Sequence, residues 1–160
     1  MKRQNIIDLS PLELEKFCLD LDLKSFKAKQ IWNWIYCFGK TNFQEMTNLD
    51  KNTRKLLEDH SFVYRPKINN VHISKDGTIK WLLEMDDKSL IETVFIPQGK
   101  RGTICISSQV GCTLNCTFCN TGTQKLVRNL TTSEILGQIF TVIDHLNDWP
   151  MGKSDRKVTN

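Results

Sequence analysis

Cys112, Cys116 and Cys119 fall at C-x3-C-x2-C spacing within Gly111-Cys112-Thr113-Leu114-Asn115-Cys116-Thr117-Phe118-Cys119. Three thiolates this close can converge on one soft metal centre from a single loop. Each iron of a four-iron cluster needs an outer ligand, so three thiolates leave one iron open to a substrate or cofactor. That opening separates a cluster that does chemistry from one that only carries electrons. Structural zinc competes for the same loop, but it asks for four ligands, usually as two pairs. His60, His72 and His145 all lie outside finger spacing. Cys105 could complete a zinc set only if its side chain left the buried strand in which its neighbours place it. The two-cluster ferredoxin pattern needs C-x2-C-x2-C and a further Cys-Pro, and neither occurs. Cys18 and Cys37 stand alone while the other four cysteines crowd one segment. That distribution points to metal or redox chemistry in a reducing compartment rather than to a disulfide scaffold.

The elements around the loop must hold it. Thr103–Ser108 is short, β-branched and apolar, and reads as a buried strand. After the loop, Thr131-Thr132-Ser133-Glu134 has capping-box spacing. Ile135, Leu136, Ile139, Val142, Ile143 and Leu146 then form the clearest amphipathic stripe in the chain. Strand, loop and helix make the opening βα unit of a parallel α/β architecture, whose active sites lie on loops at strand C-terminal ends. Asn147–Lys157 reads as a polar connection, and Val158-Thr159-Asn160 as the start of a second strand. Upstream, Asp76-Gly77 predicts a two-residue hairpin turn pairing Val71–Lys75 with Thr78–Met85. Asp86-Asp87-Lys88 turns into Ser89–Ile96, and Pro97 ends that strand, giving a three-stranded antiparallel meander. Gln98–Gly102 reads as a loop in which Lys100 and Arg101 are solvated surface or a phosphate contact.

The first 65 residues read as a small helical domain. Ser10-Pro11-Leu12-Glu13 is a capping box with proline at the first helical position, opening a helix to about Asp20. Ser25 is expected to cap a helix whose apolar stripe is Ala28, Ile31, Trp32 and Ile35, with Gly39 as its stop. A short helix holds Phe43 and Met46, and another starts near Asp50 and buries Leu56 and Leu57. Trp32, Trp34 and Tyr36 read as core and rim of this bundle rather than as a base-stacking platform. The chain's 160 residues carry 22 Lys and Arg against 18 Asp and Glu, a net charge of +4 that is compatible with nucleic acid without diagnosing it. No apolar run reaches the roughly 18 residues that span a bilayer, and the N-terminus holds no apolar stretch of signal length. The expectation is a cytoplasmic protein.

Beyond spacing, the residues resemble a known family. C-x3-C-x2-C with an aromatic, Phe118, before the last cysteine resembles the signature of radical S-adenosylmethionine enzymes. Glu92-Thr93-Val94-Phe95-Ile96-Pro97, Cys105-Ile106-Ser107-Ser108-Gln109-Val110-Gly111-Cys112 and Arg128-Asn129-Leu130-Thr131 closely resemble the dual-specificity adenosine-C2 RNA methyltransferases, the RlmN family. So do Asp76-Gly77-Thr78-Ile79-Lys80-Trp81 and Phe43-Gln44-Glu45-Met46-Thr47. The resemblance implies a helical accessory domain of RNA-binding type (1–65), an antiparallel β extension (66–100) and the start of a partial (β/α) barrel (101–160). It implies that Cys112, Cys116 and Cys119 bind a [4Fe-4S] cluster and that its open iron holds S-adenosylmethionine, with Phe118 near the cofactor. It makes Glu92 the base that removes the adenine C2 proton. It makes Cys105 the thiol that forms a transient disulfide with a methyl-carrying cysteine. Residue type alone reads Glu92 as a strand-edge carboxylate and Cys105 as a buried structural cysteine.

The implied partners are ribosomal RNA, tRNA and an external flavodoxin-like electron donor, with no membrane and a monomeric enzyme. Lys24, Lys27, Lys29, Arg54 and Lys55 form the candidate RNA-holding surface. The family's methyl-carrying cysteine and its Gly-Met-Gly-Glu-Pro segment are not in this sequence, so the expectation is a chain catalytically incompetent alone. Two other readings stay open: a non-catalytic RNA-binding module, and the sister subgroup that methylates adenine C8.

Overall fold

The computed structural model describes residues 3–114 and 124–160. It is a mixed α/β structure whose contacts form two compact units, Met1–Tyr64 with Ile143–Arg156, and Arg65–Val142 with Lys157–Asn160. Among the described residues no helix is long and apolar enough to cross a membrane.

The first unit contains β1 (Gln4–Asn5), α1 (Pro11–Asp20), α2 (Phe26–Tyr36), α3 (Lys51–His60) and β2 (Ser61–Phe62). The capping box forms as read. Ser10 Oγ accepts from the Glu13 N–H, and the Glu13 carboxylate accepts from the Ser10 N–H at 2.8 Å. Asp50 caps α3 through both the Thr53 N–H and the Thr53 hydroxyl. Ser25 does not cap α2: its backbone is already helical and its side chain makes no cap bond. The α2 stripe buries Ala28, Ile31 and Ile35, whereas Trp32 is half-exposed and stacks on Tyr36 at 4.0 Å. Gly39 follows at φ +68, where its N–H reaches the Ile35 carbonyl. Around Phe43 the chain forms a single 3-10 turn, Phe43–Glu45, too short to be the expected helix. In α3 Leu57 is buried, and Leu56 only partly. Ile6, Ile7, Leu14, Cys18, Ile31, Ile35, Met46, Leu49 and Leu57 make the core. Each large apolar side chain there contributes about 1.5–3 kcal/mol. Helical reading of the sequence misses the parallel pairing of β1 with β2, which two residues per strand cannot signal by alternation. All but Lys157 of the segment read as a polar connection belongs to this unit, where Asp148 is fully buried against Lys153 at 3.2 Å and Arg156 at 3.6 Å.

The second unit is built on an antiparallel sheet ordered β3 (Lys67–Ile73), β4 (Ile79–Glu84), β5 (Leu90–Gln98) and β6 (Arg101–Cys105). Period-two alternation puts Trp81, Leu83, Ile91, Thr93 and Phe95 on a buried face and leaves Lys80, Leu90 and Glu92 on an open one. Three expectations are corrected. The Asp76-Gly77 turn is a three-residue loop: Ser74 pairs with Thr78, and Gly77 takes φ +85 before Asp76 bonds back to Thr78. Pro97 does not end its strand; it pairs with Gly102 near the end of β5, a position that tolerates a missing N–H. The expected loop at Gln98–Gly102 shrinks to Gly99-Lys100, because Gln98 pairs with Arg101 and glycine supplies φ +57. The meander therefore has a fourth strand, and the strand expected to be buried is antiparallel β6.

The parallel feature appears at the other edge of β6. The Asn160 N–H bonds to the Gly102 carbonyl at 3.1 Å, and the Ile104 N–H to the Asn160 carbonyl at 2.8 Å, the alternation of parallel pairing. Between them lie β7 (Gln109–Val110), β8 (Arg128–Asn129) and α4 (Thr132–His145). The α4 capping box forms through Thr131 and Glu134. Its buried side is more polar than the apolar stripe implies. Ser133, Glu134, Gln138 and Thr141 are buried, while Ile135, Leu136 and Ile139 are only half-buried. Periodicity counts apolar residues; it does not see which polar groups find partners inside.

Candidate functional site

The chain enters the cysteine loop along β7 and leaves it along β8. Their pairing sets Gln109 beside Asn129 and Val110 beside Arg128. Further in, the Cys112 N–H bonds to the Gln124 carbonyl, and Cys112 forms a separate parallel bridge with Lys125. This narrow neck depends on Gly111. It sits at φ +75, and a Cβ there would collide with the Lys125 carbonyl. Cys112 is thus held by backbone bonds before any ligand is considered. The Leu114 N–H donates to Cys112 Sγ at 3.3 Å. Cys116, Phe118 and Cys119 lie outside the described residues. Among those described, no three His, Cys, Asp or Glu side chains converge as a metal site. A half-exposed, soft sulfur donor that receives an amide N–H fits one corner of an iron–sulfur ligand set.

Glu92 and Cys105 are brought together. Both stand on the open face of the sheet, and Cys105 pairs with Val94, two residues along β5 from Glu92. Cys105 is exposed, which corrects the reading of a buried structural thiol: it ends an edge strand at the open face. Cys18 is the buried one, and desolvation first, then the Glu15 charge, push its thiol up to about 11. A cavity of about 580 Å³ is lined by Leu82, Glu92, Val94, Cys105, Ser107 and Gly111 among others. The base candidate, the thiol candidate and the entry to the cysteine loop therefore share one space. Lys80 Nζ lies 2.9 Å from the Glu92 carboxylate, from the β4 side.

Several site residues escaped sequence reasoning. Arg128 anchors the exit of the loop, with Nε donating to Asp87 at 2.7 Å and its two terminal nitrogens to Glu134, both at 2.8 Å. The hydrogen bonds from Arg128 hold both carboxyls below the usual carboxylate range, and raise the guanidinium in turn. Gln138, fully buried in α4, bonds to Thr93 and to Ser107. A glutamine inside an otherwise apolar stripe was the available signal, because a buried amide needs partners. Among the cations expected to hold RNA, Lys27 is paired to Asp50 at 3.0 Å and Arg54 donates to the Gln44 carbonyl. Lys24, Lys29 and Lys55 are exposed.

Residues 4–63 match the family model described as the ribosomal RNA large subunit methyltransferase N-terminal domain. The chain is 48% identical over 151 residues to a dual-specificity RNA methyltransferase RlmN of Rhodopseudomonas palustris, an alignment covering 86% of this chain and 38% of that protein. It is 43% identical to the RlmN of Phenylobacterium zucineum, covering 99% of this chain and 43% of the relative. The chain thus spans roughly two-fifths of the length of these curated relatives. A crystal structure of a radical SAM methyltransferase from Sphaerobacter thermophilus superposes with a TM-score of 0.85 at 32% identity, covering 98% of this chain and 45% of that one.

Proposed function

Because this chain belongs to the RlmN family, we propose that it contributes the cluster loop, the base and the resolving thiol of a radical S-adenosylmethionine methyltransferase acting on adenosine C2 in ribosomal RNA and tRNA. The observation that carries this reading is the single cavity shared by Glu92, Cys105 and Gly111, the residue that leads into Cys112. Cys112, Cys116 and Cys119 would hold the [4Fe-4S] cluster, and Phe118 would contribute to binding S-adenosylmethionine. When bound, the pair supplies reductive carbon–sulfur cleavage and hydrogen-atom abstraction, the route to an adenine carbon that is not nucleophilic.

The rest falls to this chain's own side chains. Glu92, on a rigid central strand, takes the C2 proton once the methyl carbon is attached. Cys105, exposed across the same face, attacks the carrier cysteine's sulfur: an S–S bond forms, the S–C bond to the adduct breaks, and the released carbon takes up a proton to become the methyl group. The disulfide's two electrons return from an external thiol or flavodoxin-like donor. The helical residues 1–65 serve as an RNA-holding accessory domain, 66–100 as a β extension, and the β6–α4 unit with Asn160 opens a partial barrel. The partners are ribosomal RNA and tRNA, in the cytoplasm, and the enzyme acts as a monomer.

Anaerobic reconstitution with iron and sulfide tests the proposal. The wild-type chain should take up iron and sulfide and show the broad visible absorption of a four-iron cluster. Changing Cys112, Cys116 or Cys119 to Ala should abolish it. Stoichiometric zinc with no iron uptake would sink the assignment.

A further inference from the structure

The β5–β6 ladder ends before it reaches the carboxylate. Its last pair is Val94 with Cys105, and strand pairing does not continue to Glu92. The segment after Cys105 nevertheless stays beside Glu92, and side chains hold it there. Ser107 Oγ donates to the Glu92 carbonyl at 2.8 Å. Gln138 takes both backbone groups of Ser107: its Oε1 accepts from the Ser107 N–H at 2.8 Å, and its Nε2 donates to the Ser107 carbonyl at 2.9 Å. The same Oε1 accepts from the Thr93 hydroxyl at 2.8 Å, and Nε2 also donates to the Glu134 carbonyl at 3.2 Å.

A primary amide has two donors and two acceptor positions, and here all four are used. Gln138 and Thr93 are both fully buried. An apolar residue of the same length would fill the space and satisfy none of these groups. Thr93 follows Glu92 directly, and Ser107 comes two residues after Cys105. One side chain therefore grips the chain next to the base candidate and next to the thiol candidate, just where the backbone ladder stops. We infer that Gln138 is a positioning residue that sets the spacing of Glu92 and Cys105 across the open face. The inference rests on the reading that these two act as a pair, with Gln138 itself on the far side of the sheet from the reacting atoms.

The test uses this chain alone and needs neither cofactor nor RNA, so it decides on Gln138 whether or not the methyl-transfer reading stands. Glu92→Cys puts a thiol at the carboxylate's position, and dibromobimane bridges thiols only when they lie close together. Peptide mass mapping identifies bridging to Cys105. Adding Gln138→Met should reduce that bridging and speed amide exchange at Ser107, each by about tenfold or more, while amides in α2 keep their protection. Either readout unchanged in a folded variant overturns the proposal; faster exchange with unaltered bridging makes Gln138 merely structural. Should Gln138→Met not fold, Gln138→Glu serves. A neutral carboxyl can donate to the Ser107 carbonyl and accept from its N–H, whereas the ionised form cannot donate. Relative to the intrinsic exchange rate, Ser107 protection in that variant should be present at acid pH and fall as pH rises. A flat dependence would overturn the inference.

Discussion

Single residues divide here by where their neighbours leave them. Cys18 and Cys105 are the same chemistry in opposite settings: one thiol is buried and held protonated, the other stands exposed on the open sheet face. Sequence pattern reversed that picture for Cys105, because a β-branched apolar run does not reveal that its strand lies at a sheet edge. Arg128 shows the complementary case. Nothing local announces that it also pairs with Asp87, 41 residues away. The sign of its effect follows from Glu134. A carboxyl whose folded value is depressed stabilises the fold above its ordinary range, and that contribution is lost as pH falls through it. Unfolding in urea should show a stability loss below about pH 4.5. Glu134→Gln should flatten that acid limb and cost about 1–2 kcal/mol near neutrality. An acid limb as steep in the variant as in the wild type would remove this account.

Elements were legible in proportion to how local their causes are. Both capping boxes were readable because cap and partner sit three residues apart, whereas the sequence reading starts α3 near Asp50 without its cap. Turn lengths were less so. Asp76-Gly77 announces a turn, but only the register of β3 on β4 decides that the loop has three residues. The neck of the cysteine loop belongs to this scale too. Gly111→Ala must hold a left-handed backbone, at about 1 kcal/mol, and push against the Lys125 carbonyl. The variant should keep its helical circular dichroism yet bind less iron on reconstitution than the wild type. Equal iron content in the two would mean that the neck does not organise Cys112.

At the scale of the molecule, charge is unevenly shared. The unit holding the helical residues carries twelve Lys and Arg against twelve Asp and Glu, whereas the sheet unit carries ten against six. The whole excess of +4 therefore sits with the cysteine loop. Affinity for RNA that arises from phosphate contacts falls with salt in proportion to the number of contacts. Reversing Lys24 and Lys55, exposed on the helical residues, should weaken tRNA binding and shallow its salt slope. Reversing Lys100 and Arg101, at the β5–β6 turn, should do so less. The opposite ranking, read from filter binding across a salt series, would move the RNA surface from the helices to the sheet unit, where the charge excess lies.

By itself the sequence determined the chemistry on offer: three thiolates at cluster spacing, a phrase from Cys105 to Cys112 that marks the family, and helices whose caps and stripes are encoded within a few residues. These signals survive because they depend on spacing along the chain. Tertiary structure alone decided that Cys105 is exposed, that Glu92 shares its cavity, that Arg128 clasps Asp87 and Glu134, and that Gln138 takes over where the β5–β6 ladder ends. Each of those facts depends on which strand lies beside which and on which polar group finds a partner inside. A one-dimensional pattern carries side-chain type and period, and the pairing of distant strands is what turns them into a site.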